Sequence, residues 1–328
     1  MNIISRTKIW LNISAVLVVT SIIALAVFGL KLGIDFTGGS LLEVQYSAER
    51  PNQQAIEESL VDLEIGNVLV QMVDEQNVLL RFKEVDEKTH QSILNNLTSL
   101  NNKQATSTDE ANAGAVIVSG DENSPFQIEA INDDGDSTME EMRFESVGPS
   151  IGQELKIKSL YAIIIVLVVI IAYIAWSFRK VSKPVASWKY GLSAIVALFH
   201  DVLIVTGIFA ILGKFAGVEL DIAFIAAILT VLGYSVNDTI VVFDRIRENL
   251  PKSNEDFGST INTSLNQTIG RSINTSITTL LVLLSIFFFG GESIKYFVLA
   301  LSIGVIAGTY SSIFIASPLL VMWEKMKK

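Results

Sequence analysis

The 328-residue chain has no cysteine, only two histidines and only 18% charged residues. The missing thiols exclude disulfide frameworks, thiolate nucleophiles and the usual Cys/His zinc sites, so no metal centre is expected. The phosphate-cradling GxxxxGK(S/T) loop, a GxGxxG loop after a strand, the HExxH helix and the GxSxG elbow are absent as well. Neither ATP hydrolysis nor familiar hydrolase chemistry is supported, and the chain reads as a non-enzyme without cofactor. Any energy it uses comes from a gradient or a partner; a membrane potential supplies about 2.3 kcal/mol per charge per 100 mV.

Apolar residues are plentiful: they make up 50% of the chain, and the mean hydropathy is +0.47. They crowd into stretches near 9–30, 159–178, 190–212, 219–243, 273–290 and 296–322. Each is close to the ~20 residues that cross a bilayer. Buried core helices seldom run so long, and a β-barrel needs short alternating strands. The first stretch follows Arg6 and Lys8 and contains a small-residue pattern around Ala24 and Ala26, as a signal peptide would. Its apolar run continues through Val27, Phe28 and Leu30, beyond the usual cleaved length, and predicts a retained helix.

Arg179, Lys180, Lys183 and Lys189 fill the loop after the second stretch, and Lys325, Lys327 and Lys328 end the chain. This bias places both termini in the cytoplasm and residues 31–157 outside. That outer segment holds 24 acidic and 8 basic residues, which gives no support for nucleic-acid binding. Strands are predicted at 41–46, 68–73, 78–82 and 142–147, with helices at 52–64 and 87–101. The order βαββαβ is the ferredoxin-like plan, giving an α+β domain set between the first two helices. A polar, acidic insertion covers about 102–140, with a further short strand near 126–129.

Asp238 is the most informative residue, because a carboxylate inside a span costs roughly 2.5 to 3.5 kcal/mol on insertion scales. Tyr234 and Ser235 precede it at i−4 and i−3, with Asn237 beside it, so it looks along a polar stripe. Two readings stay open: a proton-coupling site, or a plain interhelical hydrogen bond. Arg271 is its candidate partner, heading a polar face with Asn274 and Thr275, although an arginine near a helix start also snorkels to headgroups. His200 and Asp201 fall in the third span; neighbours on a helix point about 100° apart, and Asp201 is the better relay candidate, His200 a packing residue. Ala300, Gly304 and Gly308 recur every four residues and allow close helix approach.

Three segments carry a family likeness: residues 33–40 with Asp35, Gly38 and Gly39; residues 147–152 with Gly148 and Pro149; and residues 233–249, from Gly233 through Asp238 and Arg245 to Asn249. Together they resemble the SecF family, membrane subunits that work with SecD beside the bacterial protein-export channel. The resemblance covers essentially the whole chain. It implies half of a bundle related to the resistance-nodulation-division exporters, SecD supplying the other six spans. It further implies a place in the bacterial inner membrane among lipid, contact with the Sec channel, its accessory subunits and the translocating preprotein, and assistance to late translocation by the proton gradient. In that family the span-four Asp and span-five Arg are tied to proton flow, and they fall on Asp238 and Arg271; the third-span His-Asp pair matches His200 and Asp201. Since the chain opens at Met1, no SecD half is expected ahead of it. The acidic insertion is longer than the family leads one to expect. Two other readings are a passive subunit bracing the channel and a half-transporter of lipids or small hydrophobic molecules.

Overall fold

The computed structural model describes residues 2–47, 50–63, 65–73, 75–109, 139–179 and 186–326. They form two compact units, Met1–Gly33 with Glu154–Lys328, and Ile34–Gln153. In chain order the elements are α1 (Thr7–Phe28), α2 (Ile34–Thr37), β1 (Gly39–Tyr46), α3 (Gln53–Leu60), β2 (Leu69–Met72), β3 (Asn77–Phe82), α4 (Glu87–Asp109) and β4 (Met139–Val147). Then follow α5 (Pro149–Ser177), α6 (Ser187–Phe215), α7 (Ile222–Asn249), α8 (Phe257–Phe289), α9 (Glu292–Ser311), a π turn (Ser312–Ala316) and α10 (Ser317–Lys325).

The smaller unit is the expected ferredoxin-like domain. Its four described strands lie in the order β2-β3-β1-β4, and every neighbouring pair is antiparallel. Alternating side chains of the strands meet those of α3 and α4, so Leu42, Val44, Ile56, Leu60, Val78, Leu80, Ile93 and Leu97 close one core. Each such burial is worth about 1.5 to 3 kcal/mol. Asn52 starts α3 by accepting the Ala55 amide at 2.8 Å, and Asp86 does the same for Thr89 at 2.9 Å before α4.

β4 begins at Met139, earlier than its sequence shows, because its ladder with β1 shifts register at Glu43/Val44 and leaves Met142 unmatched. Such a bulge breaks the apolar alternation by which a strand is recognised. Similarly α4 runs to Asp109, past the last apolar residue of its stripe. The rest of the insertion, with the strand expected near 126–129, lies outside the described residues.

Gly38 and Gly39 have φ of 75° and 126°, backbone shapes open to glycine. A Cβ on Gly38 would also stand 2.7 Å from the Pro149 Cα, and one on Gly152 3.0 Å from the Gly38 nitrogen. The two glycine-bearing segments are therefore one close-packed corner, where the chain enters β1 and leaves β4.

Among the described residues six helices are long and apolar enough to cross a membrane: Ile4–Phe28, Pro149–Ser177, Ser187–Phe215, Ile222–Asn249, Phe257–Phe289 and Ser293–Lys325. Several exceed their apolar stretch. The first half of α8, rich in Ser, Thr, Asn and Gln, carries no hydropathy signal yet continues the helix from its Asp256 cap. α6 and the last span lie innermost, while α1, α5 and α8 show most of their apolar surface outward. Close approach, the usual source of helix association in lipid, is visible on α9: Ala300 is fully buried, Gly304 abuts Val231, and a Cβ on Gly308 would lie 2.8 Å from that of Ser235. The π turn precedes Pro318. Proline has no N–H for the carbonyl four residues back and clashes with it, which widens the turn before it.

Candidate functional site

Asp201 sits midway along α6 with no exposed surface. Its Oδ2 accepts from the Ser235 hydroxyl of α7 at 2.6 Å and from the Ser311 hydroxyl of α9 at 2.8 Å. Its Oδ1 stands 3.0 Å from His200 Nδ1. Their adjacency does not separate the two side chains, because each rotates toward the other within the same buried space. His200 is thus part of the carboxylate's surroundings rather than a packing residue. Its ring stacks near Tyr310, centroids 6.0 Å apart, while the Tyr310 hydroxyl donates to the Trp10 carbonyl at 2.9 Å.

Asp238, half-buried on α7, is held by two hydroxyls. Ser272 of α8 donates to Oδ1 at 2.5 Å, and Ser312 of the π turn donates to Oδ2 at 2.5 Å. Bonds from hydroxyl to carboxylate are short and strong, and here they replace the hydration that a bilayer interior denies. Among the described residues no lysine or arginine pairs with either carboxylate. The two sites share elements: Ser235 and Asp238 lie one turn apart on α7, and Ser311 and Ser312 are consecutive.

The residues singled out from the sequence divide into two groups. Tyr234 points to the neighbouring helix, its hydroxyl 3.2 Å from that of Ser276, which in turn meets Thr309. Ser235 serves Asp201 rather than Asp238. Arg271 is not brought to Asp238; it is exposed, as are Asn237, Asn274 and Thr275. The face of α8 turned toward Asp238 carries Ser272 and Ser276 instead, both buried. Arg245 lies at the far end of α7, donating to Gln267 at 2.7 Å and Glu248 at 2.6 Å. Asp35 occupies the first turn of α2.

Ser272, Ser311 and Ser312 are functional candidates that sequence reasoning missed. Two signals pointed to them. Ser272 and Ser276 recur at i and i+4, and the small-residue repeat at 300, 304 and 308 reaches Ser312 at its next step.

Among the described residues, six membrane-length helices, a buried and a half-buried carboxylate held by serines, and a βαββαβ domain between the first two spans define a polytopic α-helical membrane protein with an inserted α+β domain. Residues 127–326 match the family described as Protein export membrane protein SecD/SecF, C-terminal, and residues 23–49 match the SecD/SecF GG motif. Protein translocase subunit SecF of Thermobaculum terrenum is 43% identical over 95% of this chain and 90% of its own length. Its counterpart in Desulfurispirillum indicum is 38% identical over 95% of this chain and 88% of its own length. The crystal structure of SecDF from Thermus thermophilus, a translocon-associated membrane protein, superposes with a TM-score of 0.74 at 27% identity. That match covers 99% of this chain and 39% of the solved one, so this chain corresponds to little more than a third of that larger protein. The chain belongs to the SecF family of protein-export membrane proteins.

Proposed function

We propose that the chain works as a SecF subunit of the bacterial protein translocase, pairing with a SecD subunit in the inner membrane and using the proton gradient to assist late steps of preprotein translocation. It needs no cofactor for this. Both termini lie in the cytoplasm, with residues 31–157 on the outer side facing the preprotein. The Sec channel and its accessory subunits are the remaining protein partners.

The observation that carries the proton reading is Asp238: a carboxylate within a membrane-length helix that, among the described residues, has no cation and is held by Ser272 and Ser312. Such a group takes up a proton without breaking an ion pair, while its two hydroxyl donors support the ionised form when the proton leaves. Asp201, with His200, is a second such group. The exposed polar residues Arg271, Asn274 and Thr275 of α8 and Asn237 of α7 support a heteromer, because polar groups on membrane-length helices need cover from a polar neighbour or from headgroups. The apolar outward surfaces of α1, α5 and α8 suit lipid.

The test is a pulse-chase of a signal-bearing reporter in cells depleted of this protein and complemented at matched levels. Wild type restores export, whereas Asp238→Asn, isosteric and unable to ionise, leaves it at the depleted level. Rescue by Asp238→Asn would reduce the protein to a brace for the channel. Normal export on depletion would favour a transporter of lipids or small hydrophobic molecules.

A further inference from the structure

Ser311 and Ser312 are consecutive, yet their hydroxyls serve different carboxylates, Asp201 and Asp238 respectively. Each also reaches the same carbonyl oxygen, that of Gly308, and Ser312 has in addition the Thr309 carbonyl oxygen at 3.2 Å. Ser311 Oγ lies 3.2 Å from the Gly308 carbonyl oxygen, and Ser312 Oγ lies 2.9 Å from it. That carbonyl already accepts the Ser312 backbone N–H. A carbonyl oxygen has two lone pairs, so one remains for two hydroxyls. Each hydroxyl has one proton: Ser311 gives it to Asp201 or to Gly308, and Ser312 gives it to Asp238 or to a carbonyl, of which Gly308 is nearer than Thr309.

We propose that Ser311 and Ser312 are positioning residues that couple Asp201 to Asp238 through competition for the Gly308 carbonyl. When Asp238 is ionised, Ser312 donates to it, and the carbonyl is open to Ser311. When Asp238 takes a proton, its demand on Ser312 falls and that hydroxyl turns to Gly308. Ser311 is then committed to Asp201, which favours the ionised form of Asp201. Neutralising one carboxylate thus holds the other charged, and the pair carries one proton at a time. The bridge stands where α9 gives way to the π turn, a kind of turn frequent at functional sites. The coupling deepens the proton reading above and rests on it for its purpose.

The following described residues face the two carboxylates or their partners. On α6 His200 touches Asp201, and from α9 Tyr310 stacks near His200. α7 turns Ser235 to Asp201 and keeps Tyr234 on Ser276, while α8 turns Ser272 to Asp238. α1 contributes Trp10 and Ser14, both engaged with Tyr310.

The full chain, reconstituted in phosphatidylethanolamine and phosphatidylglycerol vesicles, allows a direct test by infrared difference spectroscopy. The carboxylic C=O stretch of Asp201, assigned by its loss in Asp201→Asn, is titrated with Asp238 present and in Asp238→Asn. The expected result is a downward displacement of the Asp201 midpoint by about one pH unit in Asp238→Asn, the scale at which two groups titrate as a pair. In the Ser311→Ala/Ser312→Ala background that displacement shrinks by half or more. Ser312→Ala alone, a smaller change that removes one competitor, shrinks it too if the double variant does not fold. An undiminished displacement would show coupling through space only and overturn the proposal, as would no displacement in the serine-intact protein. The reading uses the isolated protein, so a negative result leaves the export test standing. An export-competent Asp238→Asn would sink the proton role with this measurement intact.

Discussion

Tyr46 ends the central strand with no exposed surface, and its hydroxyl has no hydrogen-bond partner among the described residues. Burial pushes its pKa from 10.0 up to about 12. The folded value exceeds the unfolded one, so the folded form holds its proton after the unfolded chain has lost it. Its share of stability is complete below pH 10 and lost as pH rises through about 12. Stability against chemical unfolding should fall over that window by at most about 3 kcal/mol, and Tyr46→Phe should flatten the dependence. At neutral pH the same substitution should be neutral or stabilising by about 1 kcal/mol, because it removes a buried group that lacks a partner. The carboxylates Asp201 and Asp238 were legible in the sequence because charge inside an apolar run is rare. Their serines were not: serine is common in spans, and its role depends on which face of α8 turns inward. The face with Arg271 and Asn274 looked more eventful, yet the structure turns Ser272 and Ser276 inward.

Among the elements, the approach of α9 to α7 is set by Gly304 and Gly308. Gly308→Ala would put a methyl 2.8 Å from the Ser235 Cβ, an overpacking that typically costs about 1 to 3 kcal/mol. Gly233, on α7, has nothing within 4 Å of an added Cβ, and alanine there should stabilise the helix by up to about 1 kcal/mol. Thermal melting of the two purified variants in detergent should therefore move in opposite directions; a melting temperature unchanged by Gly308→Ala would remove the close contact from the account. Helix cores were readable from hydropathy alone, whereas helix ends were not. The first turns of α8 obey their Asp256 cap, which accepts the Ser259 amide at 3.2 Å and the Ser259 hydroxyl at 2.6 Å, and a cap says nothing to a hydropathy window. These bonds hold the Asp256 carboxyl below the usual range, its Ser259 hydroxyl bond first. A depressed pKa lends stability that is lost as pH falls, so the protection of the Ser259 amide, relative to its neighbours, should drop in acid once Asp256 is protonated. An exchange rate at Ser259 that follows the general acid trend of its neighbours would argue against the cap.

For the whole molecule, the topology is open to a direct check, since a chain without cysteine gives no labelling background. In intact spheroplasts a membrane-impermeant maleimide should label Gln54→Cys and should reach Ser182→Cys only after permeabilisation. The reverse pattern would invert the topology proposed above. The βαββαβ order was legible because turn signals and strand alternation agree across the domain; the strand ladder order followed from that plan, but the β1/β4 bulge did not, as it arises from pairing between strands far apart in sequence. The antiparallel ladder of β1 and β4 has a mechanical consequence. Gly39, where the chain enters β1, is paired with Val147, where it leaves β4. A pull that separates these two attachments loads one backbone pair at a time, from Gly39 and Val147 toward Tyr46 and Met139, as a zipper opens. The same ladder drawn along its strands would have to break all its bonds together. Tension between the first two spans would thus meet the domain in its compliant direction, and the corner of Gly38 against Pro149 is the clasp that must yield first.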